Sequence, residues 1–334
     1  MNTKLIAKTF HPRSEFGKTD LELLSVELWA EYKKILDDDH TTLYEILACY
    51  IQQREQGFKV VPIAIRLPCY LARVFKVEDH EIIRIASLGT CFLDHYTQIL
   101  DDVTDLNVPL NHEMIHASHE MLLKGMVILT KNPMGNTNIG NKINQYVIEA
   151  MECERQLWPD NVKATIYGEP EYNALAKRGG VIRSAAAVYA NLSGKLDMLD
   201  EINSYLLKIS QAVQLLDDVT DWQEDLRQKR ITSIIIAGHI TINRSYNAEQ
   251  YFSILLKNHA FQNNIHRAIK LLEECKKGLS IYSPKELISV IEDIIISARY
   301  SEELFTQVES VPKRERIDFI SKQLKSVVGT SMMH

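Results

Sequence analysis

A chain of 334 residues, 46% of them hydrophobic, has ample material for a buried core in one large helical domain or two smaller ones. The formal charge of −6 excludes a basic nucleic-acid footprint, yet leaves an anionic substrate open where metal ions reverse the local charge. Five dispersed cysteines without CxxC spacing read as thiols of a reducing compartment. With no apolar leader and no stretch of membrane-spanning length, a cytoplasmic protein is expected.

Residues 1–18 read as a loose arm. Leu21, Leu24, Leu28 and Ile35 then recur at helical spacing, and Asp37-Asp38-Asp39 reads as the solvated end of that helix. Gly57, Pro62–Pro68, Pro133–Gly140, Gly168–Pro170 and Pro284 punctuate the chain as helix–helix connections. Glu113 and His116 have the spacing of a di-iron ligand pair, but no second Glu-x-x-His exists, so that reading fails. Tyr205, Leu206, Ile209, Ala212, Val213 and Leu216 form an apolar stripe, as do Leu287, Val290, Ile291, Ile294, Ile295 and Ala298. No run of alternating short strands occurs. The pattern predicts one all-α domain over residues 19–326, with 327–334 as a tail.

Asp-Asp-Val-Thr-Asp occurs twice, at Asp101–Asp105 and at Asp217–Asp221, each time at the end of a helical run. Residues four apart share a helix face, so each copy sets carboxylates side by side. Carboxylate oxygens are hard ligands that suit Mg²⁺, which is held by few carboxylates together with substrate phosphates. Two such clusters on facing helices would cage a diphosphate and its metals. One cluster alone would read as a solvated helix end; two equal copies on apolar helices do not.

The segments around both copies resemble the class I isoprenoid enzymes, that is, polyprenyl diphosphate synthases and class I terpene synthases. Gln214-Leu-Leu-Asp217-Asp218-Val-Thr-Asp221-Trp-Gln-Glu-Asp225, continuing to Arg230-Ile-Thr232, resembles the second aspartate-rich motif. Asp94 to Asp105 resembles the first. Lys177-Arg178-Gly179-Gly180 falls where that family carries a diphosphate-binding Lys and a break in a central helix. The resemblance covers about residues 85–106 and 170–235. It implies a single-domain helical bundle with a central cavity, a prenyl diphosphate substrate, three Mg²⁺ ions and a homodimer.

On the same resemblance, Asp101, Asp102 and Asp105 would bind metal on one wall. Asp217, Asp221 and Asp225, spaced i, i+4 and i+8, would do so on the other, with Asp218 replacing Asp225 on the prenyl-synthase pattern. Lys177, Arg178, Gln214, Arg230, Arg299 and Tyr300 would hold the diphosphate. Arg178 is favoured over Arg183 as the diphosphate-sensing arginine, while Arg299-Tyr300 matches a pair found in bacterial terpene synthases. Lys177, Arg178 and Arg299-Tyr300 read equally as plain surface residues. Tyr96 and Thr97 fall where the family sets pocket depth, although a core Tyr is the simpler reading of Tyr96.

Chain elongation needs a second cationic site. Here only Lys59 stands in the upstream basic region, Leu93 occupies the usual His position, and no arginine follows Asp105. The expected activity is therefore a class I terpene synthase ionising a linear prenyl diphosphate of about 15 or 20 carbons and cyclising or quenching the cation. Diphosphate itself would take the final proton. A prenyltransferase is the alternative, and a catalytically silent partner subunit is a third.

Overall fold

The computed structural model describes residues 19–38, 45, 47, 61–104, 112–130, 137–157, 169–228, 232–238, 247–320 and 323. Within these, the side chains of 37–38, 101–104, 137, 154–157, 169–170, 228 and 309 lie outside the description. Among the described residues every regular element is helical, as the periodicity predicts. The helices are α1 (Asp20–Asp38), α2 (Ile63–Phe75), α3 (His80–Thr104), α4 (His112–Thr130), α5 (Thr137–Leu157) and α6 (Glu169–Arg178). They continue as α7 (Arg183–Leu192), α8 (Leu199–Gln228), α9 (Ser233–Ala237), α10 (Ala248–Lys257), α11 (Ala260–Leu279) and α12 (Lys285–Gln307).

Local chemistry sets several boundaries. Thr19 and Glu22 cap α1 reciprocally: the Thr19 amide donates to the Glu22 carboxylate and the Glu22 amide to Thr19 Oγ1. Asn247 and Gln250 do the same for α10. Pro284 precedes the first turn of α12 and Pro170 lies in the first turn of α6, where a missing N–H costs nothing.

The Pro62–Pro68 stretch is not a connection. Pro62 stands at the N-cap of α2 and Pro68 lies inside that helix. Proline removes a helical hydrogen bond and crowds the preceding turn. Burial offsets this: Ala64, Ile65, Leu67, Cys69, Tyr70, Leu71, Ala72, Val74 and Phe75 are all in the core. The Pro68 carbonyl also accepts a 3.0 Å hydrogen bond from the Tyr189 hydroxyl on α7.

At the centre, α7 is buried from Arg183 to Ala190 and packs against α2, α3, α5 and α8. Its alanines, Ala185, Ala186, Ala187 and Ala190, keep the neighbouring axes close. Both helices that carry the repeated motif, α3 and α8, pack on α7 and on the 3₁₀ turn Gly180–Ile182 that leads into it. The last turns of α8 are anchored by aromatic packing: Trp222 stacks on Phe252 of α10 and meets Phe261 of α11 edge-on, and Phe261 stacks on Phe305 of α12 at 4.2 Å. Such pairs contribute about 0.5–1.5 kcal/mol each beyond area burial. Four described cysteines, Cys69, Cys91, Cys153 and Cys275, are buried thiols.

Candidate active site

At 100° per residue, Gln214, Asp217, Asp218, Asp221 and Asp225 fall within an arc of about 100° on α8. The strip is graded in depth. Asp221 is exposed and Asp217 half-buried, while Asp218 and Asp225 are each only 4% exposed. The grading follows from Trp222, which sits beyond Asp218 on the wheel and draws that side of the helix into the aromatic cluster. Gln214 donates from Nε2 to Asp217 Oδ2 at 3.1 Å.

The carboxylates strain against one another. Burial, then the charges of Asp218, Asp217 and Asp221, pushes Asp225 up to about 9, and Arg178 pulls it partly back. Burial raises Asp218 to about 6 against the opposing hydrogen bonds of Ser233, with the Asp217 charge adding to the rise and Arg178 opposing it. Loss of water around its carboxylate, with the charges of Asp217 and Glu224, raises Asp221 to about 7, although much of that residue's surface stays open.

The first motif is placed by its backbone. Asp101 and Asp102 lie in the last turn of α3, where a helix carries its negative end and no basic residue follows within the turn. Anionic side chains are disfavoured there unless a cation is near. Their side chains, and Asp105 and Arg230 altogether, lie outside the described residues.

Among the basic residues the structure separates what the sequence groups together. Arg178 ends α6 just before the glycine break, and its charge acts on both Asp218 and Asp225. Lys177 points the other way, its Nζ 3.9 Å from Glu149 of α5. Arg183 is buried in that same wall: Nη2 donates to Glu149 Oε2 at 2.8 Å, Nε donates to the Gly180 carbonyl, and the guanidinium lies 4.2 Å from the Tyr146 ring centroid.

Arg299 is 61% exposed and ion-pairs with Glu273 of α11. Glu274, its neighbour in sequence, pairs with Lys208, thirteen residues and about 20 Å along α8 before Asp221. The structure therefore does not bring Arg299 to the aspartate strip. Tyr300 is half-buried and packs against the core. Tyr96 is buried, its hydroxyl 3.4 Å from Met151 Sδ of α5, and the Thr97 hydroxyl is used within α3, donating to the Asp94 carbonyl at 2.8 Å.

Two residues escape the sequence reading. Ser233, the first residue of α9, donates its amide N–H to Asp218 Oδ2 at 2.9 Å and its hydroxyl to the same oxygen. Asn264 of α11 donates from Nδ2 to Ser233 Oγ at 2.6 Å. One signal does exist: Asn264 interrupts the apolar stripe Ala260, Phe261, Ile265, Ala268 and Leu272, and a polar residue there needs a partner.

Among the described residues no three His, Cys, Asp or Glu side chains converge to hold a metal ion. The α8 aspartates form an open strip, not a closed cage. Its chemistry nevertheless suits a hard divalent cation that completes its shell with phosphate oxygens. The donors are carboxylates, they repel each other in partial burial, and Asp217 and Asp221 stand at the accessible edge. No described helix is long and apolar enough to cross a membrane.

No protein-family model matches the chain, and no curated protein matches it. Solved structures do. A geranylgeranyl pyrophosphate synthetase from the archaeon Geoglobus acetivorans aligns at a TM-score of 0.68 and 18% identity, over 83% of this chain and 99% of that one. The corresponding enzyme from Pyrococcus horikoshii aligns at 0.65 and 13%, over 83% and 99%. A polyprenyl synthase from Caulobacter crescentus, solved with calcium and isoprenyl diphosphate, aligns at 0.67 and 14%, over 85% and 99%. The chain has the all-α isoprenoid synthase fold.

Proposed function

We propose that the chain is a class I enzyme that ionises an allylic prenyl diphosphate. The observation that carries this reading is the buried-to-exposed carboxylate strip of α8, with Arg178 set against it at the break between α6 and α7. Asp217 and Asp221, with Asp101, Asp102 and Asp105 from α3 and the residues beyond it, would hold Mg²⁺; Asp225 stands deeper on the same strip. When bound, Mg²⁺ would neutralise the diphosphate and make it a good leaving group. Arg178 is positioned to stabilise negative charge as it develops on the departing diphosphate, where a preorganised cation is worth most. Gln214 steadies Asp217 for this task. Lys177, Arg230, Arg299 and Tyr300 keep their proposed diphosphate roles only on the strength of the sequence resemblance, and for Arg299 the ion pair with Glu273 speaks against it.

The completing reaction is proposed to use the single substrate, as in terpene synthases. Leu93, at the position where elongating enzymes place a basic residue, is fully buried, with Gly125 of α4 so close that an added Cβ would stand 2.9 Å from its Cδ2. The Leu93 side chain is thus committed to the α3–α4 packing interface. Prenyl transfer to a second substrate is the second reading, and the likeness to geranylgeranyl and polyprenyl synthases favours it.

Incubating the pure protein with Mg²⁺ and geranylgeranyl or farnesyl diphosphate alone separates the two. Hydrocarbon or alcohol together with released diphosphate is the expected result. Product that forms only once isopentenyl diphosphate is added overturns the single-substrate reading in favour of transfer. No turnover under either condition removes both.

A further inference from the structure

We infer that Ser233 and Asn264 are positioning residues that hold the Asp218 carboxylate in one orientation on the α8 strip and thereby set the affinity of that strip for divalent metal. The inference rests on the proposed reading of that strip as a metal and diphosphate site.

The geometry gives the chain of hydrogen bonds a direction. Asn264 Nδ2 can only donate, so the 2.6 Å contact makes Ser233 Oγ the acceptor and commits the hydroxyl hydrogen to Asp218. The opposite amide orientation would draw that hydrogen to Asn264 and turn an oxygen lone pair on the carboxylate. The Ser233 amide donates to the same Oδ2. Asp218 Oδ2 thus receives two donors from one residue, which fix the carboxylate against rotation.

All three residues are buried, Ser233 fully and Asn264 to within 1%. They belong to three helices, α8, α9 and α11, so the link ties the strip to the aromatic cluster beneath it. Buried polar groups of this kind are costly unless satisfied, and here the Ser233 amide and hydroxyl both reach Asp218 while Asn264 reaches Ser233. Outer partners of this sort orient the carboxylates that meet a metal, and their loss typically weakens metal binding by about 10–100-fold.

The test is a Mn²⁺ titration of the full-length protein with inorganic pyrophosphate present, read by electron paramagnetic resonance, with melting temperature measured in parallel. Ser233→Ala is expected to weaken Mn²⁺ by about 10–100-fold. Ser233→Thr, which keeps the hydroxyl, should stay within a few-fold of wild type. Asn264→Leu, which suits the apolar stripe and keeps the fold, should fall between them. Asp217→Asn serves as the control for the site itself. If wild type binds and Asp217→Asn does not, but Ser233→Ala and Asn264→Leu bind like wild type, the positioning role is wrong and the functional reading stands. A lowered melting temperature with unchanged Mn²⁺ affinity likewise reduces the pair to a structural role. A wild-type protein that binds no Mn²⁺ takes the functional reading and the inference down together.

Discussion

Arg178 and Arg183 lie five residues apart, on either side of Gly179-Gly180, and meet opposite surroundings. Arg183 is enclosed by Glu149, the Gly180 carbonyl and the Tyr146 ring, so its charge is matched inside the α5–α7 wall. Arg178 acts on the buried pair Asp218 and Asp225 across the α6–α8 contact. The glycines build this division. The Gly179 amide donates to Ser210 Oγ of α8, and a Cβ on Gly179 would stand 2.6 Å from that oxygen. A Cβ on Gly180 would meet Arg183 Nη2 at 2.7 Å. Removing two methyl groups lets α6 stop against α8 and α7 restart in a new direction. Two residues of one type, on one stretch of chain, are thereby assigned one to scaffold and one to the carboxylate strip.

The contrast can be broken most directly by exchanging the expected losses. Arg178→Ala should lower kcat/KM by about 100-fold or more, the usual scale for removing one electrostatic stabiliser, with little change in melting temperature. Arg183→Ala should do the reverse. It removes a buried side chain held by Glu149, the Gly180 carbonyl and the Tyr146 ring, and is expected to destabilise the fold by about 1–3 kcal/mol, measured by urea denaturation. If Arg178→Ala unfolds the protein while Arg183→Ala abolishes turnover, the assignment is inverted.

A second experiment sharpens what Arg178 opposes. Asp218, Asp221 and Asp225 are all raised above the ordinary carboxylate value of about 3.9, so the folded chain holds their protons more tightly than the unfolded chain. Their contribution to stability is complete below about pH 4. It is lost as pH climbs through about 6, 7 and 9. Metal-free protein should therefore lose melting temperature through this strip between about pH 5 and pH 9, and millimolar Mg²⁺ should restore more at the alkaline end than at the acid end. Equal Mg²⁺ shifts at both ends would show that the cation binds elsewhere.

Arg299→Ala gives the smallest expected effect. An exposed ion pair contributes on the order of 0–1 kcal/mol, so stability and turnover should both stay close to wild type. A large loss of activity from this change alone would restore Arg299-Tyr300 to the diphosphate site and strengthen the terpene-synthase reading.

Much of this molecule is written in local pattern. The apolar stripes of α8 and α12 and the glycine break at 179–180 all follow from helical periodicity and backbone chemistry, and these are properties of neighbours in sequence. The alignment of Gln214, Asp217, Asp218, Asp221 and Asp225 on one face follows for the same reason. Pro68 shows where local pattern misleads. Proline argues for a break, and only burial of nearly all of α2, with Tyr189 bonding to its carbonyl, carries the helix through.

The depth of the aspartates was beyond the sequence as well. Asp221 and Asp225 are equivalent by spacing, yet Trp222 and its aromatic partners bury one and leave the other open. Charge partners are decided in the same way, because the partner comes from a distant helix: Glu149 for Arg183 and Glu273 for Arg299. The sequence by itself determined which residues share a helix face and the break at Gly179-Gly180. Tertiary packing alone decided which carboxylates are buried together, which arginine faces them, and that Ser233 and Asn264 stand behind Asp218. The reason is physical. Periodicity acts over one turn of chain, whereas desolvation and charge pairing depend on whatever the fold brings within a few ångströms.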